Sequence, residues 1–192
     1  HWRAAGSQRP FYDTLAMSRL TPAKKGTKGK LRPLLCGATL RRLTASALCG
    51  FDKALLAEAA GEMQFAIGKP AGVEKLGATL QALLESFPEL AVLQFDAVSA
   101  FNNVKRERAL QRVSATAPHL LAYSALWLTR RSVAVLQKLD GSVAKLEVTT
   151  GVDQGDPLSP FLFAVGLPLE EIRNRVAKLL SDAAARDVAR TG

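Results

Sequence analysis

The chain has 192 residues, 48% of them hydrophobic, with a mean hydropathy of +0.06 and a formal charge of +9. That is enough apolar material for the core of one domain, or of a domain with a small lobe. No apolar run approaches the ~18 residues a bilayer span requires, and the start of the chain shows no secretory signal pattern. Cys36 and Cys49 are too few for a disulfide framework and lack zinc spacing, so both read as packing residues in a reducing compartment. The charge is uneven. Residues 1–50 hold ten Lys or Arg against the single acid Asp13, whereas residues 51–192 balance to zero. Such a basic block attracts polyanions, so nucleic acid or nucleotide phosphate is the first partner to consider. The opening His1-Trp2, without a methionine, fits a fragment of a longer chain.

In chain order, residues 1–19 show no firm periodicity and read as irregular or partly helical. From Leu20, the text LTPAKKGTKGKLRPLL predicts a β-hairpin with Gly26, Lys28 and Gly29 at its tip, Lys24 or Lys25 on one arm and Arg32 on the other. The tip lacks the spacing of a P-loop. Thr39 to Ala60 has helical spacing, with Arg41 and Arg42 projecting near its start and Gly50 breaking it into two helices. Residues 64–72 read as a loop, and Val73 to about Phe87 as an amphipathic helix closed by Pro88. The apolar run Leu90 to Phe95 predicts a buried strand that delivers the Asp96 carboxylate at its end, with Phe101 shortly after. Helices are predicted from Lys105 to Thr116 and from Pro118 to about Thr129, with Tyr123 and Trp127 as packing residues.

Ser132 to Leu139 and Ser142 to Val148 flank Asp140-Gly141, a pair suited to a type I′ hairpin turn. The Gly-rich turn TGVDQGDP follows. Asp156 is expected to cap the next helix and Pro157 to occupy its first position. That helix carries Leu162, Val165, Leu169, Ile172, Val176 and Leu179 on one face, which predicts burial along much of its length and a kink near Gly166 and Pro168. Residues from Ser181 on are expected to fray. His1 and His119 sit in no nucleophile or zinc arrangement, and no GxGxxG follows a strand, so hydrolase triads and dinucleotide binding are set aside. A basic hairpin, a strand-end Asp followed by an aromatic, and a Gly-Gln-Gly turn feeding a helix can together serve nucleotidyl transfer. The carboxylate would hold Mg²⁺, the cations would neutralise a triphosphate, and the glycines would let the backbone approach a base or sugar.

These residues resemble the fingers and palm of a reverse transcriptase of the non-LTR retrotransposon and group II intron type. KLRPLLCGATLRRLTASAL is similar to the second fingers motif, QFAIGKPAGVEKL to the loop and helix after it, QFDAVSAFNNV to motif A and TTGVDQGDPLSPFLFAVGL to motif B. The similarity covers about Leu20 to Leu169, and motif B is its most specific part. It implies an α+β right-hand polymerase fold, with fingers over 20–90, palm over 91–180 and a tail over 181–192. It implies that Asp96 is the first metal-binding aspartate for Mg²⁺ or Mn²⁺, with the Ala97 carbonyl as a further ligand. By the same resemblance Phe101 excludes the ribose 2′-hydroxyl, Arg32 and Lys24 or Lys25 grip the triphosphate, and Gln154 and Gly155 lie beside nucleotide and template. Phe101 also disfavours an RNA-copying RNA polymerase, whose motif A usually has an acidic residue at that spacing.

The implied partners are an RNA template, an RNA–DNA hybrid and dNTPs, inside the cell and in the nucleus if the parent is a eukaryotic retroelement. Two departures stand out. Motif C, an aromatic, any residue and two aspartates, does not occur before Gly192, and neither Asp182 nor Asp187 replaces it. Two-metal transfer needs carboxylates that hold ions ~4 Å apart, so the chain as written is expected to lack full polymerase activity, with motif C within about 40 residues downstream in the parent. Asp153 stands where the family often has a basic or neutral residue and is expected to weaken contact with the template. The alternative is an inactive retroelement remnant that only binds nucleic acid through its basic quarter.

Overall fold

The computed structural model describes residues 9–25, 30–62 and 64–191, so the hairpin tip at Gly26, Lys28 and Gly29 lies outside the described residues. The fold is α+β. Helix α1 (Arg9–Ala16) leads into β1 (Ser18–Lys25) and β2 (Lys30–Gly37), followed by α2 (Thr39–Phe51), α3 (Lys53–Ala60) and α4 (Gly72–Ser86). After an irregular stretch come a 3₁₀ turn (Ala100–Asn103), α5 (Arg106–Thr116), a 3₁₀ turn (Pro118–Leu120) and α6 (Leu121–Leu128). Strands β3 (Ser132–Gln137) and β4 (Val143–Val148) then precede α7 (Ser159–Gly166) and α8 (Leu169–Thr191). The two hairpins form one sheet of order β2-β1-β3-β4, joined by a short parallel pairing of Ser18 with Ala134 and Arg19 with Val135.

The core lies where α5 packs on α6 and α7, and α3 on α7. Ala109, Val113, Leu120, Leu128, Leu158, Phe161, Leu162 and Val165 are buried there together with Ala45, Leu56, Val104 and Val152. Gly166 on α7 lets that helix approach α5 closely: a Cβ there would come 3.0 Å from the Val104 side chain and 3.4 Å from that of Ala109. Tyr123 and Trp127 pack edge to face, as their spacing predicts, and the Tyr123 hydroxyl donates to the Arg41 carbonyl at 2.8 Å. Burial pushes that phenol up to about 12. His119 has a structural contact, its Nε2 lying 3.0 Å from Asp52 Oδ2.

Several expectations are corrected. Leu90 to Phe95 is not a buried strand: residues 90–97 are irregular, and Leu93 and Phe95 are 56% and 68% exposed. A strand needs a neighbour for its backbone groups, and among the described residues none pairs with this stretch. The break after α2 falls at Asp52 rather than at Gly50, which lies inside the helix. The second hairpin does not use a type I′ turn, which requires two residues at positive φ. Gly141 (φ +80°) is at positive φ and Asp140 is not, Gln137 pairs with Val143, and Lys138 N–H donates to Ser142 O at 2.9 Å. The connection is therefore longer than two residues.

Helix α7 starts at Ser159, with Pro160 rather than Pro157 in its first turn, while Asp156 Oδ1 accepts from Leu158 N–H at 2.9 Å ahead of it. The expected interruption near Gly166 and Pro168 is present, because Leu167 is extended between α7 and α8. Beyond it, Leu169, Ile172 and Leu179 are exposed, so the apolar face is buried only as far as α7. The helix also continues to Thr191 instead of fraying at Ser181. Helix α4 forms close to its expected bounds, yet Val73, Leu76, Leu83 and Leu84 on it are exposed.

Candidate functional site

The turn after β4 is held on two sides. Gly151 has φ +74°, and a Cβ there would lie 2.4 Å from the Asn102 carbonyl oxygen, so this position excludes a side chain. Its N–H donates to Val104 O at 3.0 Å, and Val152 N–H donates to Phe101 O at 2.8 Å. Thr150 Oγ1 reaches Asn102 O at 3.2 Å, and Gln154 Nε2 reaches Asn102 Oδ1 at 3.0 Å. On the other side Gly155 N–H donates to Leu35 O at 3.1 Å, and a Cβ on Gly155 would stand 2.6 Å from that oxygen. The turn from Gly151 to Gly155 is thus hydrogen-bonded both to the segment that follows Asp96 and to the second strand of the basic hairpin.

A buried charge cluster fixes the same turn from below. Arg41 on α2 places Nη1 3.1 Å from Asp153 Oδ2 and Nε 3.1 Å from Asp156 Oδ2, the second an ion pair without hydrogen-bond alignment. Ser18 on β1 donates to Asp153 Oδ2 at 2.7 Å. Arg41 and Asp153 are only 8% and 4% exposed, and the guanidinium also lies over the Trp127 ring at 5.0 Å. Burial raises the Asp156 carboxyl above its ordinary range, and the neighbouring Arg41 charge offsets part of that rise. One guanidinium therefore holds both aspartates that flank Gln154-Gly155. This overturns two expectations: Arg41 does not project from α2, and Asp153 faces the protein interior rather than a template.

A second buried arginine closes the far end. Arg106 donates from Nε to Gly151 O at 2.7 Å and from Nη1 to Arg130 O at 2.9 Å, with Nη2 3.5 Å from Thr150 O. Burial lowers its pKa, and carbonyl acceptors stand around the guanidinium in place of water. Arg41, Arg106, Ser18 and Asn102 were not among the expected site residues. The signal for Arg41 was its helical spacing, since it shares a face with the buried Ala45.

The remaining expected residues divide into groups. Gln154 and Gly155 sit in the held turn, half-buried. Phe101 stacks on Phe163 with ring centroids 5.1 Å apart and packs against the core, which gives it a packing role in this structure. Arg32 is exposed on β2, and its register partner is Ala23, so strand alternation sets Lys24 on the opposite face while the Lys25 backbone pairs with Lys30. Asp96 and Ala97 lie in the exposed irregular stretch and belong to no strand. Among the described residues no group of three or more His, Cys, Asp or Glu stands together. A divalent cation takes about six oxygens, so Asp96 and the Ala97 carbonyl do not by themselves make a metal site.

Both cysteines are free, and burial raises the Cys49 thiol, which lies 3.5 Å from Pro157 O. No helix among the described residues is long and apolar enough to cross a membrane. Compared with known protein families and with curated proteins, the sequence matches none.

Proposed function

We propose that the chain is the fingers and part of the palm of a right-hand polymerase, an RNA-directed DNA polymerase that adds dNTPs to a primer 3′-hydroxyl on an RNA template. The observation that carries this reading is the meeting of three separated sequence elements at one turn. Gly155 bonds to the basic hairpin through Leu35, Gln154 and Val152 bond to the segment after Asp96, and the turn feeds α7. A polymerase needs cations for the triphosphate, a metal-binding carboxylate, which here lies in the irregular stretch before Phe101, and a close-approach turn beside the nascent base pair. Arg32 would receive the triphosphate, and Gln154-Gly155 would form the floor beside the base. Asp96 would contribute one ligand to Mg²⁺ or Mn²⁺, which when bound promotes attack of the 3′-hydroxyl and stabilises the departing pyrophosphate. The Ala97 carbonyl would be a further ligand.

The test is extension of a DNA primer on an RNA template by a polypeptide spanning this chain and the reading frame that follows it. Accumulation of complementary DNA supports the reading. Absence of product from a folded polypeptide that still binds the hybrid refutes it and favours the second reading, a catalytically inactive remnant that only binds nucleic acid. The observation behind that second reading is the charge of residues 1–50, ten Lys or Arg against the single acid Asp13.

A further inference from the structure

Beside the Arg41 clamp lies a small cavity of about 10 Å³, the room that a single water molecule needs. Leucine and valine side chains make most of its wall, and Arg41, Ser124, Trp127 and Asp156 line it too. Among the described residues, the buried side-chain nitrogens and oxygens left without a hydrogen-bond partner in the protein are Arg41 Nε, Ser124 Oγ and Trp127 Nε1. All three belong to residues around this one cavity.

Each of the three forgoes a nearby alternative. Arg41 Nε stands 3.1 Å from Asp156 Oδ2 without hydrogen-bond alignment. Ser124 on α6, only 1% exposed, does not make the common helical back-bond to the carbonyl four residues earlier. Burial raises the Tyr123 phenol and the Trp127 N–H offsets a small part of that rise, yet the two make no aligned hydrogen bond. Leaving such groups unpaired in the interior is costly.

Together they make a definite demand on an occupant. The indole and the guanidinium Nε only donate, so whatever fills the cavity must accept twice, whereas the Ser124 hydroxyl and the Asp156 carboxylate can accept in return. A water molecule accepts two hydrogen bonds and donates two. A halide would accept as well, but the Asp153 and Asp156 carboxylates already outnumber the one guanidinium, and a further negative charge beside them is disfavoured.

We infer that this cavity is a binding site for one ordered water molecule, which accepts from Trp127 Nε1 and Arg41 Nε and donates to Ser124 Oγ and Asp156. The water ties α6 to the charge clamp, so the Gln154-Gly155 turn is braced through α6 as well as through α2. The inference is independent of the polymerase reading and stands whether or not the chain copies RNA.

The experiment is water-selective NOE and ROE spectroscopy of the ¹⁵N-labelled 192-residue chain, read at the assigned Trp127 indole N–H, on wild type and Ser124→Ala. A cross-peak with the sign of a long-resident water is expected in both, because the variant keeps the indole, the guanidinium and the carboxylate. No such cross-peak in wild type overturns the inference. A cross-peak that Ser124→Ala loses would come from the exchanging serine hydroxyl, and that too overturns it. Chloride is then titrated into sulfate buffer. A saturable shift of the indole N–H would make the cavity an anion site and overturn the water. If Ser124→Ala does not fold, a wild-type crystal at a resolution that shows ordered water decides. Density within about 3.2 Å of both Trp127 Nε1 and Ser124 Oγ supports the site. A Ser124 hydroxyl turned onto the Leu120 carbonyl beside a dry cavity overturns it.

Discussion

Arg41 concentrates more of the site's stability than any residue that the sequence motifs single out. It pairs with two buried carboxylates, so truncating it leaves Asp153 and Asp156 without their counter-charge. Arg41→Ala is expected to cost about 3–5 kcal/mol in urea unfolding, whereas Ser18→Ala, which removes one hydrogen bond to Asp153, should cost about 1–2 kcal/mol. Equal losses from the two variants would show that Asp153 does not depend on Arg41. Asp156 adds a pH signature. Its folded-state pKa lies above the ordinary carboxylate value, so protonation favours the native state. That contribution is fully present below the unfolded pKa and is lost as pH rises through the raised folded value. The stability of wild type relative to Asp156→Asn should therefore fall from pH 3 to pH 7. A difference that grows with pH would mean that the Arg41 pairing outweighs burial.

At the scale of elements, the turn between β4 and α7 joins the sheet to the helical core, and its Gly151 has a different duty from Gly141 in the β3–β4 hairpin. Gly141 and Gly151 both have positive φ, but a Cβ on Gly141 meets open space while one on Gly151 collides with the Asn102 backbone. Gly141→Ala should therefore cost only the left-handed strain, about 1–2 kcal/mol, and Gly151→Ala clearly more, measured by equilibrium unfolding. Similar costs would indicate that the Asn102 segment moves aside freely.

Much of this element structure was legible in the sequence. The hairpins announced themselves through Gly-rich and Asp-Gly turns between β-prone arms, and α4, α5 and α6 through their apolar spacing. The run Leu90 to Phe95 misled because its composition is that of a buried strand, while strand formation depends on a partner that composition does not reveal. Likewise, the three-four spacing of Leu169, Ile172, Val176 and Leu179 marks a face fit for burial without saying what covers it. The held turn was legible as a Gly-rich motif. Its clamp was not, because Arg41 and Asp153 are 112 residues apart and read singly as surface charges.

For the whole molecule, the core is built from α2, α3, α5–α7 and the segments that join them, and a broad apolar surface remains on α4, α8 and residues 90–98. Exposed apolar surface on that scale binds hydrophobic dyes and promotes association. The chain should enhance 8-anilinonaphthalene-1-sulfonate fluorescence and self-associate at micromolar concentration, and Leu93→Glu/Phe95→Glu should reduce both. An unchanged dye signal would place the responsible surface on the helices instead.

The polymerase reading stands or falls on Asp96, the carboxylate that precedes the segment holding the turn. The most direct measurement is primer extension on an RNA template by the polypeptide spanning this chain and its downstream frame, with Asp96→Asn beside wild type and hybrid affinity measured in parallel. Loss of extension by about a thousandfold, equivalent to ~4 kcal/mol of barrier, with hybrid affinity within about twofold of wild type, is the predicted result. Extension at the wild-type rate by Asp96→Asn would contradict it.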